Sequence, residues 1–453
     1  MSDQHQPLVS FTVPVYNMER YVGACLDSIL SQPFDDYEIV LVDNNSTDRS
    51  VAICEEYAAQ HERIRYYRLT GEPLYGRAAI HAIDKAQGKY IHYVDSDDLL
   101  PSNVYAVIEN KLRTDRADVF IGRFNTIIEG SLLGCVDVSD LSDNIDWCEK
   151  DQIFKHLGEN MPFHMPFWRF IFAAAAWKER MKETVEQVVN ASTPLFFGSI
   201  YSDSVSTMKL LFIADSIRYL NIPIYTYRIR SSSISRERGS GSKQIIECVK
   251  VICSFIWMGE QIAQTEQEQK FVRVYLEMYI YTLATALCTL TSEQLAESVI
   301  DVALFLKKYR EEFGLSVSQT SLFFSELLRE GAEVFLPKYC RYCLSVIERI
   351  SDDICTKGQN VYLAPSGAIG LLMKTAFELQ GVKIAGFFDN DEKKKGVMVD
   401  GVTIYSPTAI KAMNNPKPIT VLIASRYANV RKDLVEQFKN LGINGKNLIV
   451  ITF

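Results

Sequence analysis

Long apolar runs are missing from this 453-residue chain. Uncharged stretches such as residues 278–292 reach only about 15 residues, short of the roughly 20 that a membrane-crossing helix needs. Positive charge is not in excess either: 48 Lys and Arg stand against 56 Asp and Glu, a net −8 with a pI near 5.5. That balance argues against a protein built to neutralise nucleic-acid phosphates, and no nucleic-acid partner is expected. The opening Met1-Ser2-Asp3-Gln4-His5-Gln6-Pro7 lacks both a basic n-region and an apolar h-region, so no secretory leader is expected. Ten cysteines fall without the spacing of a secreted scaffold, which reads as reducing cytosol. The single Cys-x-x-Cys, Cys340 and Cys343, sits in a helical pattern with no second pair and no histidine after His164. Helical packing is preferred there over zinc or redox chemistry. Extended disorder is unsupported at 47% hydrophobic and 23% charged residues.

What is present divides into three patterns. In residues 8–100, apolar strands at 8–13, 38–42, 63–67 and 90–94 alternate with helical segments at 19–31, 50–61 and 76–87. Strands alternating with helices imply a parallel, helix-covered sheet. A further strand at 118–122 and helices at 151–157 and 204–214 follow. A turn-rich segment, Ser231-Ser232-Ser233 and Arg238-Gly239-Ser240-Gly241-Ser242, marks a boundary. Beyond it, apolar residues recur at helical spacing over residues 244–355, with no polar constellation that suggests chemistry. Packing or homo-oligomerisation suits that region. Alternation returns in the last hundred residues: strands at 361–364, 383–388, 420–424 and 448–451, helices at 368–380 and 430–440, a small doubly wound unit.

In an open parallel sheet, ligands bind beyond the carboxyl ends of the strands. Polar clusters stand at such ends: Pro14-Val15-Tyr16-Asn17, Asp43-Asn44-Asn45-Ser46-Thr47-Asp48, and Asp95-Ser96-Asp97-Asp98, with Tyr75-Gly76-Arg77 opening the intervening helix. Asp48 reads as a helix cap or first-turn acid and Asp98 as a turn residue. Asp95 and Asp97 are two apart and point the same way on extended backbone. Such a pair holds a hard divalent cation that binds phosphate oxygens, or is a solvated acidic loop.

The order and spacing of these blocks, together with Gly88-Lys89-Tyr90-Ile91, resemble the family 2 inverting glycosyltransferases of the GT-A fold over residues 8–235, half of the chain. The resemblance implies a nucleotide-sugar donor, with Pro14, Tyr16, Asp43, Arg77, Asp95 and Ser96 at the nucleotide. Tyr16 lies where the family packs a side chain on the base, Asp43 matches the carboxylate that bonds it, and Arg77 the basic residue that approaches it. Asp95 matches the acid directed to the ribose and Asp97 the ligand of Mn²⁺ or Mg²⁺. Asp203, in Tyr201-Ser202-Asp203-Ser204, matches the base for the acceptor hydroxyl, with Ser202 where similar enzymes carry Glu. Arg228, Arg230 and Ser233 suit diphosphate oxygens, or are a solvated strand edge and linker. Trp168 and Arg169, in an aromatic block over residues 163–172, are expected at the acceptor cleft or in the core. The acceptor implied is a saccharide or a lipid-linked saccharide, in capsule or O-antigen synthesis. A lipid-linked acceptor would bring the cytoplasmic protein to the inner membrane face. A nucleotidyltransferase would show a Gly-rich loop after the first strand, and Pro14-Val15-Tyr16-Asn17 has none. A non-catalytic nucleotide-sugar sensor or scaffold is the alternative from another class.

The fold class expected is thus α/β, with a GT-A nucleotide-diphospho-sugar transferase domain at residues 1–240, an all-helical domain at 241–355 and a Rossmann-like domain at 356–453. In the last, Pro365-Ser366-Gly367-Ala368-Ile369-Gly370 resembles a dinucleotide fingerprint with Pro for its first Gly, and Asp389 lies 19 residues beyond Gly370. No Tyr-x-x-x-Lys pair accompanies it, since Tyr427 is followed by Arg431. A ligand-free structural role is preferred for it over nucleotide binding.

Overall fold

The computed structural model describes residues 5–73, 76–128, 136–137, 150, 152–154, 166–180, 202–230, 242–313, 322–391, 394–413 and 418–453. Its contacts group into two compact units. The first takes in Met1–His156, Phe163–Ser233 and Ile262–Glu268, the second Leu157–Pro162, Ile234–Gln261 and Gln269–Phe453.

Eight strands form the sheet of the first unit among the described residues: β1 (Val9–Val15), β2 (Tyr37–Asp43), β3 (Ile64–Arg68), β4 (Tyr90–Tyr93), β5 (Val119–Ile128), β6 (Val136–Asp137), β7 (Phe170–Ala173) and β8 (Ile217–Ile229). Their order is β3-β2-β1-β4-β7-β5-β6, with β8 pairing β5. β1 to β4 are mutually parallel, while β7 runs antiparallel to both β4 and β5. β2 is buried along its whole length and β1 at all but Pro14, as expected of strands covered on both faces. Helix α1 (Val22–Leu30) buries Val22, Cys25, Leu26 and Ile29, the stripe that 3.6-residue periodicity produces. α2 (Ser50–Gln60), α3 (Arg77–Lys85) and α4 (Val104–Thr114) complete the alternation.

One buried polar lock holds the parallel strands in register. Ser10 on β1 is paired with Glu38 on β2, and its hydroxyl donates to Glu38 Oε1 at 2.6 Å. Gln87 N donates to the same oxygen at 2.6 Å, Arg65 Nη1 to Oε2 at 2.7 Å, and Gly88 N to Ser10 Oγ at 2.8 Å. A Cβ on Gly88 would sit 2.6 Å from Ser10 N, so the backbones meet here only because that residue is glycine.

β8 is the element that the sequence pattern conceals. Its register against β5 shifts around Arg123, where Pro223 lies, and a bulge is where a strand tolerates proline. The interruption breaks the period-2 signal of a 13-residue strand.

In the second unit, helices Ser242–Gln261, Glu266–Leu287, Ser292–Phe313, Leu322–Glu330 and Ala332–Lys357 precede a sheet of β9 (Asn360–Ala364), β10 (Ile384–Phe388), β11 (Met398–Val399), β12 (Val402–Tyr405), β13 (Ile419–Ile423) and β14 (Leu448–Val450). The order is β11-β12-β10-β9-β13-β14, parallel except for the β11–β12 hairpin. Tyr281, Cys288, Cys343, Ile347 and Ile354 from the helices share one core with Val361, Leu363, Phe377 and Ile384 of the α/β part. Tyr281 also donates to the Ile451 carbonyl at 3.1 Å. Cys340 and Cys343 are buried in this packing, with Cys340 Sγ donating to the Leu287 carbonyl. Among the described residues no helix is long and apolar enough to cross a membrane.

Candidate active site

The carboxyl ends of β1 and β2 are stitched together. Asn44 N donates to the Val15 carbonyl at 2.8 Å, Asn17 N to Ser46 Oγ at 2.9 Å, and Thr47 N to Asn17 Oδ1 at 2.8 Å. Asn17 and Asn45 adopt left-handed φ of 52° and 65°, which asparagine tolerates. Asp48 takes Ser50 N at 2.9 Å and Glu19 N at 3.1 Å, so its role is to cap and join the two loops. Pro14 lies half-buried at the end of β1, and Tyr16, at 41% exposure, stands outward beside it.

Asp43 ends β2 with no solvent exposure. Its Oδ1 accepts from Ser46 N at 3.0 Å and lies 3.9 Å from Arg68 Nε, while Oδ2 has no hydrogen-bond partner among the described residues. A buried carboxylate oxygen without a donor is costly, and a bound group that supplies an N–H would remove that cost. Arg77 opens α3, and its guanidinium is committed to the carbonyls of Glu72 at 2.8 Å and Thr70 at 2.5 Å. Asn45 Nδ2 donates to the Gly71 carbonyl of the same loop at 2.9 Å. Arg77 therefore holds the loop after β3.

Beyond β4 the acidic run meets β8. Asp95 Oδ1 accepts from Tyr93 Oη at 2.7 Å, and Ser96 is buried. Asp97 Oδ2 pairs with Arg230, and the Asp97 carbonyl accepts from Arg228 Nε at 2.8 Å. The Arg228 and Arg230 guanidinium carbons lie 5.5 and 4.8 Å from the ring centre of Tyr21, so both cations lie over one aromatic ring. Asp98 is fully buried and closes a turn, its N–H donating to the Asp95 carbonyl at 3.0 Å. Its Oδ1 accepts from Arg228 N at 2.7 Å and its Oδ2 from Tyr225 Oη at 2.8 Å. Burial, with the charges of Asp97 and Asp95 added, pushes the Asp98 carboxyl well above the usual carboxylate range. Sequence reasoning missed Asp98 and Tyr225. The available signal was a further acid, Asp98, directly before the apolar Leu99-Leu100.

Trp168 and Arg169, expected either at an acceptor cleft or in the core, lie in the core, at 4% and 2% exposure. Trp168 stacks on Tyr225 at 4.2 Å, and Arg169 Nε donates to the Gly122 carbonyl at 3.0 Å. Asp203 falls in the first turn of α5 (Ser202–Ile213). Its side chain, and Ser233 entirely, lie outside the described residues. In the C-terminal unit Asp389 Oδ2 accepts from Ser366 N at 3.1 Å, Ser366 Oγ at 2.5 Å and Lys394 Nζ at 3.0 Å. The acid that would meet a ribose is engaged with its own loop.

Among the described residues no group of three or more His, Cys, Asp or Glu is placed to hold a metal unaided. The donor chemistry nevertheless fits a hard cation that keeps phosphates and water as its other ligands. Asp97 already attracts a positive charge, Arg230, and Asp95 precedes it by two residues on the same loop.

A three-layer α/β sheet with aspartates and arginines gathered beyond its strand ends defines a nucleotide-sugar transferase fold. Residues 10–179 match the family model "Glycosyl transferase family 2". It is 29% identical over 234 residues to glycosyltransferase GlyA of Streptococcus pneumoniae, a match that covers 50% of this chain and 31% of that protein. Over 124 residues it is 36% identical to the poly(ribitol-phosphate) beta-glucosyltransferase of Bacillus spizizenii, covering 26% of this chain and 19% of that protein. The chain thus matches less than a third of the length of either relative. The structure of S. aureus TarS 1-349 in complex with UDP-GlcNAc shares the fold, with a TM-score of 0.51 at 16% identity, over 78% of this chain and 92% of that one.

Proposed function

We propose that this chain is an inverting glycosyltransferase that moves a sugar from a nucleotide-diphosphate sugar to a hydroxyl of a glycan or lipid-linked saccharide, in the synthesis of a bacterial surface polysaccharide. The observation that carries the reading is the gathering, at one sheet edge, of an undonated Asp43 oxygen, the Asp95–Asp97 carboxylates and the Arg228–Arg230 cations. A base edge offers N–H donors to the first, and a diphosphate offers oxygens to the last. The relative that acts on poly(ribitol phosphate) supports a polymer acceptor, and TarS, which shares the fold and holds UDP-GlcNAc, makes UDP the nucleotide to test.

In this reading Asp43, Tyr16, Pro14, Asp95 and Ser96 receive the base and ribose, and Arg77 keeps the neighbouring loop in place. Asp97 would hold Mn²⁺ or Mg²⁺, whose chemistry is Lewis-acid neutralisation of charge on the departing diphosphate. Arg228, Arg230 and Ser233 bind the diphosphate oxygens. Asp203 takes the proton of the acceptor hydroxyl as its oxygen bonds to the anomeric carbon. The bond from that carbon to the diphosphate oxygen breaks in the same displacement, which inverts the centre once. The C-terminal α/β part serves structurally, because Asp389 is already engaged with Ser366 and Lys394.

Thermal stability with UDP, GDP, CMP, dTDP and NAD, with and without Mn²⁺, tests this on the wild type and Asp97→Ala. At a hundred times its dissociation constant a ligand stabilises the native state by about 2.7 kcal/mol. A UDP shift that Mn²⁺ enlarges and Asp97→Ala reduces is expected. No nucleotide shift, or an NAD shift indifferent to Asp97, would overturn the reading.

A further inference from the structure

The acidic loop after β4 and the arginines at the end of β8 are far apart in sequence, yet the proposed donor site needs them at a fixed separation. Two buried side chains span that junction. The Tyr225 hydroxyl accepts from Asp95 N at 3.0 Å and donates to Asp98 Oδ2 at 2.8 Å. Asp98 Oδ1 in turn accepts from Arg228 N at 2.7 Å. One hydroxyl therefore touches both ends of the Asp95–Asp98 loop, and one carboxylate ties that loop to the backbone of a diphosphate arginine. Beside them, Leu99 and Thr226 exchange two backbone hydrogen bonds, at 2.9 and 3.1 Å. The Tyr225 ring is itself immobilised by stacking on Trp168, 4.2 Å away and within 11° of parallel.

We infer that Tyr225 and Asp98 are positioning residues for the donor site: they set the register between the Asp95–Asp97 carboxylates and Arg228–Arg230. Neither touches the donor. They act through the loop and the strand that do, because both are buried while the groups they hold lie at the sheet edge. Packing alone would not call for them, since a phenyl ring fills the Tyr225 space equally well. What the hydroxyl adds is the pair of directional bonds, and a site held within a fraction of an ångström depends on such supports. The inference rests on the donor-site reading proposed above.

Titration calorimetry of the full chain with UDP in the presence of Mn²⁺ supplies the test. Tyr225→Phe keeps the stack on Trp168 and removes both hydroxyl bonds. It should weaken UDP binding about tenfold, the scale of one hydrogen bond involving a charged group. In an Asp97→Ala background the same change should weaken binding by less than about twofold, because residues acting through one loop are not additive. Phe124 packs edge-on against Trp168 at 5.0 Å, and Phe124→Leu, which leaves the Tyr225 hydroxyl in place, should lower the melting temperature and leave UDP affinity unchanged. Should Tyr225→Phe fail to fold, Asp98→Asn, measured in the same two backgrounds, replaces it with the same expected pattern. A wild type that does not bind UDP with Mn²⁺ overturns the proposed function and this inference together. A wild type that binds, with Tyr225→Phe binding equally well or losing the same factor in both backgrounds, overturns this inference alone.

Discussion

Glu38→Ala tests the lock between β1, β2 and the turn that enters β4. The carboxylate, 6% exposed, is reached by three donors: Ser10 Oγ, Gln87 N and Arg65 Nη1. Truncation leaves Gln87 N and Ser10 Oγ inside the sheet without their acceptor, at a cost of about 1–2 kcal/mol apiece. Arg65 retains access to water at 31% exposure, so its lost ion pair adds about 1 kcal/mol or less. The total is about 2–5 kcal/mol. For a unit of this size that lowers the melting temperature by roughly 4–20 °C. Scanning calorimetry of the full chain is the assay. Arg65→Met serves as the companion, with a shift no larger than about 1 kcal/mol would produce. A Glu38→Ala shift below about 3 °C would refute the reasoning, since it would mean that water or a rearranged turn satisfies those donors at little cost.

Other outcomes follow from the same geometry. His92 is fully buried with Nδ1 2.8 Å from Tyr105 Oη, and burial lowers its pKa to about 3. An unfolded histidine takes up its proton near pH 6.5, roughly. Across the window from there down to about 3 the unfolded chain binds more protons, so stability falls as pH drops, by up to about 1.4 kcal/mol per unit. Melting temperatures between pH 7 and pH 4.5 should show that slope, and His92→Gln should flatten it. Gly370→Ala drives a methyl group into the Pro365 carbonyl oxygen and should cost about 1–3 kcal/mol in the transition of the second unit. Arg230→Gln removes the counter-charge of Asp97, so Mn²⁺ binding without nucleotide should tighten a few-fold, roughly, while UDP binding weakens; unchanged Mn²⁺ affinity would show that the pair does not compete with the cation. Asp203→Asn should reduce turnover by about 10²–10⁴-fold with donor binding retained, as loss of a general base does, and unaltered transfer would remove Asp203 from the mechanism.

Much of the scaffold was legible because burial on both faces writes itself as an unbroken apolar run. β1 and β2 were expected within two residues of where they lie, as were β4 and four strands of the C-terminal sheet, whereas β11 and β12 were not expected. Gly88 could be read as part of a motif, though its reason, the approach to Ser10 N, is visible only in three dimensions. β8 was not legible, since Pro223 and the register shift erase its alternation. Asp48 lies where its capping role was expected, and Cys340 and Cys343 are packed in the core. The aromatic block could serve a cleft or a core equally well on composition, and only burial places Trp168 and Arg169 inside.

The alternation of strands and helices and the polar clusters at strand ends are written in neighbouring residues, so they can be read along the chain. Which of those clusters meet is settled by the fold. Asp98 looks like a loop acid until Tyr225 and Arg228, about 130 residues later, arrive to fill its two oxygens. Arg77 and Asp389 look available for a ligand until the carbonyls of residues 70 and 72 and the hydroxyl of Ser366 engage them. Hydrogen bonds and burial are properties of partners, and distant partners are chosen by the fold.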